Sequence, residues 1–346
     1  METTSDKRHR VALIAIASNE TAYLAQFVFH HLRLGFAPII IISNNSQDAT
    51  AEMASHLAAS LPDIHHMDGN PWRRIWKLNE FQLRAYQMGI NLLDGMKFKP
   101  DYTMFLDIDE YWTPIGDYLD ISEYINQHDA PDAFMFNWVL PDNDQAPFSH
   151  PFLENFIGVP HNHMKMLWKY RNPVKILNPH AVAADGMDRE IVVSGLPLIE
   201  RHATANTPKH PGNAMIVHQM FRSMPEYIAI LTRGRPSLDV KFKTNRWGYR
   251  HVNRFHPKIP LTLSPNLVDI WQKDFLCWID THKVQELIRN GRKSVLLRAL
   301  EGIKLYQSIS SEERLMYEKA FLYVEIDEAK NEIEKLLQDL DRSMSH

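Results

Sequence analysis

Residues Tyr102 to Trp112 read YTMFLDIDEYW, an apolar and aromatic run that ends abruptly in Asp107, Asp109 and Glu110. With Pro100 just before it, the run has the length and composition of a strand buried on both faces of a mostly parallel sheet. Open α/β sheets hold their ligands outside the carboxyl ends of such strands. Asp107 and Asp109 lie two apart, so on a continuing strand they share a side. Two carboxylates on one side repel each other unless a cation lies between them. A hard divalent ion, Mn²⁺ or Mg²⁺, would serve, and such an ion also grips a diphosphate. The plainer account is a strand end with acids that cap the next helix, but a cap needs one Asp and not three acids.

The residues before this run repeat a strand–helix alternation. Val11 to Ala17 is a short buried strand followed by Ser18, Asn19 and Glu20. Leu24, Phe27, Val28, His31 and Leu32 then recur at helical spacing, and Gly35 stops the helix. Pro38 to Ile42 is a second buried strand, ending in Ser43, Asn44 and Asn45. Ser46 is the expected N-cap of a helix from about 47 to 60, with Asp48 in its first turn. Asp63 to Met67 reads as a third strand, and Trp76 to Met96 as a long helix. This order predicts an α/β fold with a doubly wound, mostly parallel sheet. No G-x-G-x-x-G follows the first strand and no G-x-x-x-x-G-K-[ST] occurs, so a dinucleotide-binding enzyme and a P-loop NTPase are disfavoured. Any nucleotide must be held by a metal and side chains.

Composition narrows the class further. The chain has 346 residues, 45% of them hydrophobic, and a net charge of −4, which supplies no basic field for nucleic acid. Its single cysteine, Cys277, excludes an internal disulfide and fits a reducing compartment. Val11 to Ala17 is too short for a membrane span and lacks a signal-peptide cleavage site. The expectation is a cytoplasmic protein.

Beyond the acids, residues 115–127 are expected to be helical and Ala133 to Leu140 a strand, followed by the turn-rich acidic loop 141–145. His150, His161, His163, His180, His202, His210 and His218 follow. Each taken alone is an ordinary surface or core residue. A metal-nuclease reading of His161-Asn162-His163 lacks the flanking ββα pattern and the basic background. Ala214 to His218 is a short strand. Ser223-Met-Pro-Glu226 is a capping box with Pro in the first turn, opening a helix that runs to Thr232. Residues 237–266 read as an ordered loop or linker, and 267–346 as a helical appendage to a domain at 8–236. Leu322, Ile326, Ala329, Ile333, Leu336 and Leu340 form an apolar stripe, which suits either a homo-oligomer through the last helix or docking on the chain's own domain.

Several segments together resemble a known family. Asn19-Glu20 with His30-His31-Leu32-x-Leu34-Gly35-Phe36, Asn44-Asn45-Ser46-Gln47-Asp48, and Phe105-Leu106-Asp107-Ile108-Asp109-Glu110-Tyr111 are similar to motifs of glycosyltransferase family 2, in the branch related to family 92. Ile216-Val-His218, Arg222-Ser223 and Arg233-Gly234 resemble that branch's closing segment. The resemblance covers roughly residues 10–236. It implies a GT-A fold, a bound Mn²⁺ or Mg²⁺, and a nucleotide-diphosphate sugar donor. Such an ion neutralises the departing nucleoside diphosphate. By position, the resemblance puts Asp109 on the metal, Asp107 on the ribose or on the metal through water, and Asn19, Glu20 and Asn44 around the nucleoside. His218 would add a metal or phosphate contact, with His180 competing. Arg73, Arg74 and Lys77 would steady the diphosphate or form a solvated helix face. Ser43 stands where relatives carry Asp, and Gln219-Met220 where an aromatic follows the His.

An inverting transferase needs a base for the acceptor hydroxyl. Asp142 and Asp144 are candidates, with Asp185 and Asp188 in competition. The leading expectation is a glycosyltransferase acting on a glycan, lipid-linked saccharide or protein acceptor. Peripheral membrane contact could run through Lys241 to Arg254. The alternatives are a haloacid-dehalogenase-type phosphatase, whose nucleophile also sits in D-x-D, and an inactive scaffold.

Overall fold

A computed structural model describes residues 7–342 apart from 74, 77, 117–119, 143–145, 154, 172, 184–190, 194–195, 198–210 and 234–239. The strands are β1 (Val11–Ala17), β2 (Phe36–Ser43), β3 (Ile64–Asp68), β4 (Tyr102–Asp107), β5 (Glu110–Pro114), β6 (Ala133–Pro141), β7 (Asn155–Lys169), β8 (Lys175–Asn178), β9 (Ala181–Ala183), β10 (Ile191–Val193), β11 (Leu196–Pro197), β12 (Ala214–His218) and β13 (Ile259–Thr262). The helices are α1 (Thr21–Arg33), α2 (Thr50–Ser60), α3 (Asn70–Arg73), α4 (Leu78–Gly95), α5 (Ile121–Asn126), α6 (Met224–Leu231), α7 (His251–Phe255), α8 (Pro265–Asp269), α9 (Phe275–Thr281), α10 (Gln285–Ser308), α11 (Ser311–Phe321) and α12 (Ile326–Arg342), with a π-helical turn at Ile270–Asp274.

The sheet is mixed. β3, β2, β1 and β4 run side by side and parallel, as the alternating strands and helices predict. β7 then inserts antiparallel between β4 and β6, so β6 again points the way β4 does. β12 bridges β6, in parallel, and β5, antiparallel. The fold is thus α/β with a doubly wound parallel half, a mixed second half and C-terminal helices.

Two elements replace what the sequence pattern predicts. Residues 110–114 form the strand β5, paired with β12, and the helix expected at 115–127 is the shorter α5, Ile121–Asn126. The stretch from 155 to 169 is one long strand, although its histidines and lysines break the apolar pattern. Ser46 does not cap α2: Ala49 occupies that position without a side-chain cap. The Ser46 hydroxyl instead accepts from the Asn19 backbone N–H at 3.1 Å, tying the β1 and β2 loops together.

The histidine pair on α1 is structural. His31 Nε2 accepts the Trp112 N–H at 3.3 Å, so its Nδ1–H donates to the Phe27 carbonyl at 2.9 Å. His30 Nδ1 accepts from the Trp271 indole at 3.2 Å, so its Nε2–H donates to the Trp112 carbonyl at 2.8 Å. Both rings are buried, and burial holds His30 near a pKa of about 3 and His31 well below its usual value. The pair therefore stays neutral and fastens α1 to β5 and to the C-terminal region.

The C-terminal helices join the same core. α10 packs on α1 and α6, and α12 on α6 and α10. Ala329 and Ile333 of the apolar stripe are fully buried there, with Leu336 and Leu340 packed alongside. The stripe is thus spent on the chain's own core. α10 approaches α1 at Gly291, where a Cβ would stand 2.5 Å from the Ala22 nitrogen.

Candidate active site

The carboxyl ends of β1, β4, β6 and β12 open into a cleft of about 770 Å³. Asp107 closes β4, and Asp109 sits in the two-residue turn before β5. The strand does not continue through the pair. The turn is held from both sides: Gln219 N–H donates to the Asp109 carbonyl at 2.8 Å, and the Glu110 side chain accepts the Asp107 N–H at 2.9 Å. Both aspartates line the cleft.

They have different partners. Lys165, fully buried on β7, puts its ammonium 3.2 Å from Asp107 and 2.9 Å from Glu110. Burial and the two nearby aspartates push the Glu110 carboxyl up to about 8 against the pull of Lys165. Burial alone would drive the Lys165 ammonium down, but Asp107 and Glu110 overcome it and hold the proton on. Lys165 therefore stands as a counter-charge beside Asp107. Asp109 faces His218 Nε2 at 3.5 Å. Burial works to raise its pKa, and His218, Arg222 and Arg246 outweigh that and hold it well below the usual carboxylate range. Asp109 is the ionised acid of the cleft.

Glu20 is locked. Its carboxylate accepts from Arg222 at 3.2 Å and from Arg233 at 2.7 Å. Arg222 lies flat over the Tyr23 ring, 3.4 Å from its centroid. Arg233 also donates to the Asn19 carbonyl at 2.7 Å. Asn19 Oδ1 accepts the Gln47 N–H at 2.7 Å, and Asn19 lines a side cavity of about 440 Å³ that shares Ser18, Arg233 and Lys243 with the cleft. Asn44 is buried, with its N–H on the Ala17 carbonyl, and lines neither cavity. Asp142 is also outside the cleft, 2.6 Å from Lys258 on the surface side of β6. Asp144, Asp185, Asp188, Arg74 and Lys77 lie outside the described residues. Arg73 lines neither cavity.

Three cleft groups escaped the sequence reading. Lys243, Arg246 and Trp247 come from the segment taken as a linker, folded back across the cleft mouth with Asn245, Gly248 and His251. Burial, with Arg246 and Arg233 beside it, lowers Lys243 to about 8. Arg246 is lowered too, mainly by burial, and its Nε has no hydrogen-bond partner. Among the described residues no carboxylate comes within ion-pair distance of Lys243 or Arg246. Cations crowded against each other with no carboxylate in contact stabilise an anion that enters between them. The segment's only sequence signal was its basic-aromatic composition, which says nothing about where it folds.

The opposite wall is aromatic. Trp138 touches His163, His161, His180 and His218, with centroid distances from 4.2 to 5.6 Å. His161 and His163 both line the cleft, and the β6–β7 register shifts beside them, between Asn137 and Trp138. Bulges of this kind re-aim side chains beside sites.

Among the described residues, no group of three or more His, Cys, Asp or Glu side chains is placed to hold a metal ion. Asp109 with His218 is a two-ligand platform. One carboxylate and one imidazole suit a divalent transition metal ion such as Mn²⁺, whose shell a diphosphate and water would complete. No described helix is long and apolar enough to cross a membrane.

No family model matches the chain, and no curated protein matches it. Among solved structures, it aligns over 94% of its length with S. aureus TarS at 10% identity and a TM-score of 0.28, spanning 55% of that chain. It also aligns over 96% of its length with the mannosyltransferase PcManGT from Pyrobaculum calidifontis, solved in complex with GDP-Man and Mn²⁺, at 10% identity and a TM-score of 0.28, spanning 86% of that chain.

Proposed function

We propose that this chain is a metal-dependent glycosyltransferase that moves a sugar from a nucleotide-diphosphate donor to an acceptor hydroxyl on a glycan, lipid-linked saccharide or protein. The observation that carries this is the pairing, in one cleft, of an ionised acid with its histidine (Asp109 and His218) and three cations, Arg233, Lys243 and Arg246, the last two with no carboxylate in ion-pair distance among the described residues. A diphosphate satisfies both halves. A divalent ion on Asp109 and His218 would supply charge neutralisation for the departing diphosphate.

The chain's own residues do the rest. Arg233, Lys243 and Arg246 bind the phosphates and stabilise charge as the C1–oxygen bond breaks. Lys165 keeps Asp107 from repelling the donor. Arg222 and Arg233, fixed by Glu20, keep the floor of the cleft rigid. Asn19, in the side cavity next to Arg233, lies where the nucleoside would extend.

The test is a thermal-shift titration with UDP, GDP, CDP and ADP, with and without Mn²⁺, on wild type and Asp109→Ala. A nucleotide at a hundred times its dissociation constant stabilises by about 2.7 kcal/mol. The expected result is metal-dependent stabilisation by one nucleotide, lost in Asp109→Ala. No shift with any nucleotide overturns the proposal. Magnesium-dependent release of phosphate from a simple ester would point to a phosphatase instead.

A further inference from the structure

Every described carboxylate in the cleft already has a task. Glu20 is held by two arginines, Asp107 by Lys165, and Asp109 faces His218 beneath the cation cluster. None is left to take a proton from an acceptor. Asp142 is held by Lys258 outside the cleft.

The contacts around His161 and His163 fit one pair of tautomers. The His163 backbone N–H approaches His161 Nδ1 at 3.2 Å. A backbone N–H can only donate, so His161 Nδ1 is the bare, accepting nitrogen, and the ring's proton sits on Nε2. His163 Nδ1 lies 3.1 Å from the same His161 Nδ1. The tautomers that serve both contacts leave His161 Nδ1 as an acceptor shared between the His163 backbone N–H and the His163 ring. His163 Nδ1 therefore carries the hydrogen, and His163 Nε2 is left with a free lone pair. The ring cannot turn freely, because it stacks on Trp138 at 4.9 Å and 15°. Trp138 also touches His218, at 4.2 Å, so His163 and the metal-side histidine pack on one indole at the cleft.

We infer that His163 Nε2 is the general base of this site, held in its basic tautomer by His161 and in position by Trp138. The inference rests on the transferase reading above and adds its stereochemistry. The acceptor O–H gives its proton to His163 Nε2. The acceptor oxygen forms a bond to C1 of the donor sugar, from the face opposite the diphosphate. The C1–oxygen bond to the diphosphate breaks, its electron pair leaves with the diphosphate, and the product has inverted configuration. The acceptor is then a hydroxyl that enters the cleft beside His163.

The test uses the full-length protein, and UDP-glucose, UDP-N-acetylglucosamine and GDP-mannose as donors. Release of nucleoside diphosphate is followed with a panel of methyl glycosides as acceptors and with water as the background acceptor. His163→Gln and His163→Gly are compared with wild type, and each variant is first checked for the donor-induced thermal shift. A general base contributes about 10²- to 10⁴-fold in rate. Both variants are expected to keep the donor-induced shift and to lose release by at least about a hundredfold. Free imidazole should restore part of the rate in His163→Gly and none in His163→Gln, whose side chain fills the vacated space. Release within a few-fold of wild type in both variants, a retained anomeric configuration in the product, or failure of imidazole to rescue His163→Gly overturns the base. Donor binding with no wild-type release above the uncatalysed rate also overturns it, while leaving the donor site standing. If no donor shifts the wild type, the transferase reading falls and the base falls with it.

Discussion

Gly291 offers a direct test of how the C-terminal helices hold the site. It lies within α10 where that helix crosses the start of α1. A Cβ there would stand 2.5 Å from the Ala22 nitrogen and 2.8 Å from both the Thr21 carbonyl carbon and Cβ. Two of these atoms are backbone and cannot rotate away. To reach ordinary contact at 3.4 Å, one helix must retreat by about 0.9 Å. Moving packed helices apart costs about 1–3 kcal/mol, and with backbone on the receiving side the upper part of that range applies. Alanine returns about 1 kcal/mol of helix propensity. Gly291→Ala is therefore expected to destabilise by about 1–2 kcal/mol in urea denaturation. Gly95→Ala, at the end of α4 with nothing within 4 Å of the added Cβ, is the control and should be neutral or slightly stabilising. α1 begins one residue after Glu20, so the same variant should also weaken nucleotide-induced stabilisation. A Gly291→Ala protein more stable than wild type would refute the close crossing and the support it gives to the cleft.

Two further outcomes follow from buried ionisable groups. His30 has a folded pKa of about 3, below its unfolded value of 6.5, so the unfolded state binds more protons as pH falls. Its contribution is fully present above pH 6.5 and declines below it, by about 2 kcal/mol at pH 5. His30→Gln should flatten the decline of unfolding free energy between pH 6.5 and 5, and an unchanged slope would sink the neutral-pair account. Arg222→Met should destabilise by about 3 kcal/mol by stripping Glu20 of one buried partner. Adding Glu20→Gln should recover part of that loss, whereas simple additivity of the two changes would show that the pair is not coupled.

The parallel half of the fold was legible because its strands are buried on both faces. Val11–Ala17 and Pro38–Ile42 read as apolar runs and Tyr102–Asp107 as a mostly apolar one that ends in an acid, and the helices between them kept their period. β7 was not legible for the opposite reason. It carries His161, His163, Lys165 and Lys169 through the middle of the sheet, and polar residues on a strand look like a loop unless their alternation is counted. His161, His163 and Lys165 are each two apart, a period-2 signal that was present and outweighed by composition. Lys165 tolerates full burial only because Asp107 and Glu110 face it. That compensation is tertiary and leaves no local trace.

The same contrast divides the motifs from the site. The His30-His31 pair is the most conspicuous dipeptide of α1, yet every polar nitrogen of both rings is spent on fastening backbone and indole, so it does no chemistry. The groups that face the cleft are plainer in sequence: an arginine after α6, a lysine and an arginine in an irregular segment, two histidines on a bulged strand. What marks them is an unmet requirement. Lys243 is lowered by burial and by neighbouring cations, Arg246 has an unpartnered Nε, and no described residue donates a hydrogen bond to His163 Nε2. A folded chain leaves such groups unsatisfied at a cost, and structures keep that cost where a ligand relieves it. By that criterion the cleft needs an anion on one wall and a proton donor on the other. A nucleotide-diphosphate sugar beside an acceptor hydroxyl supplies both at once.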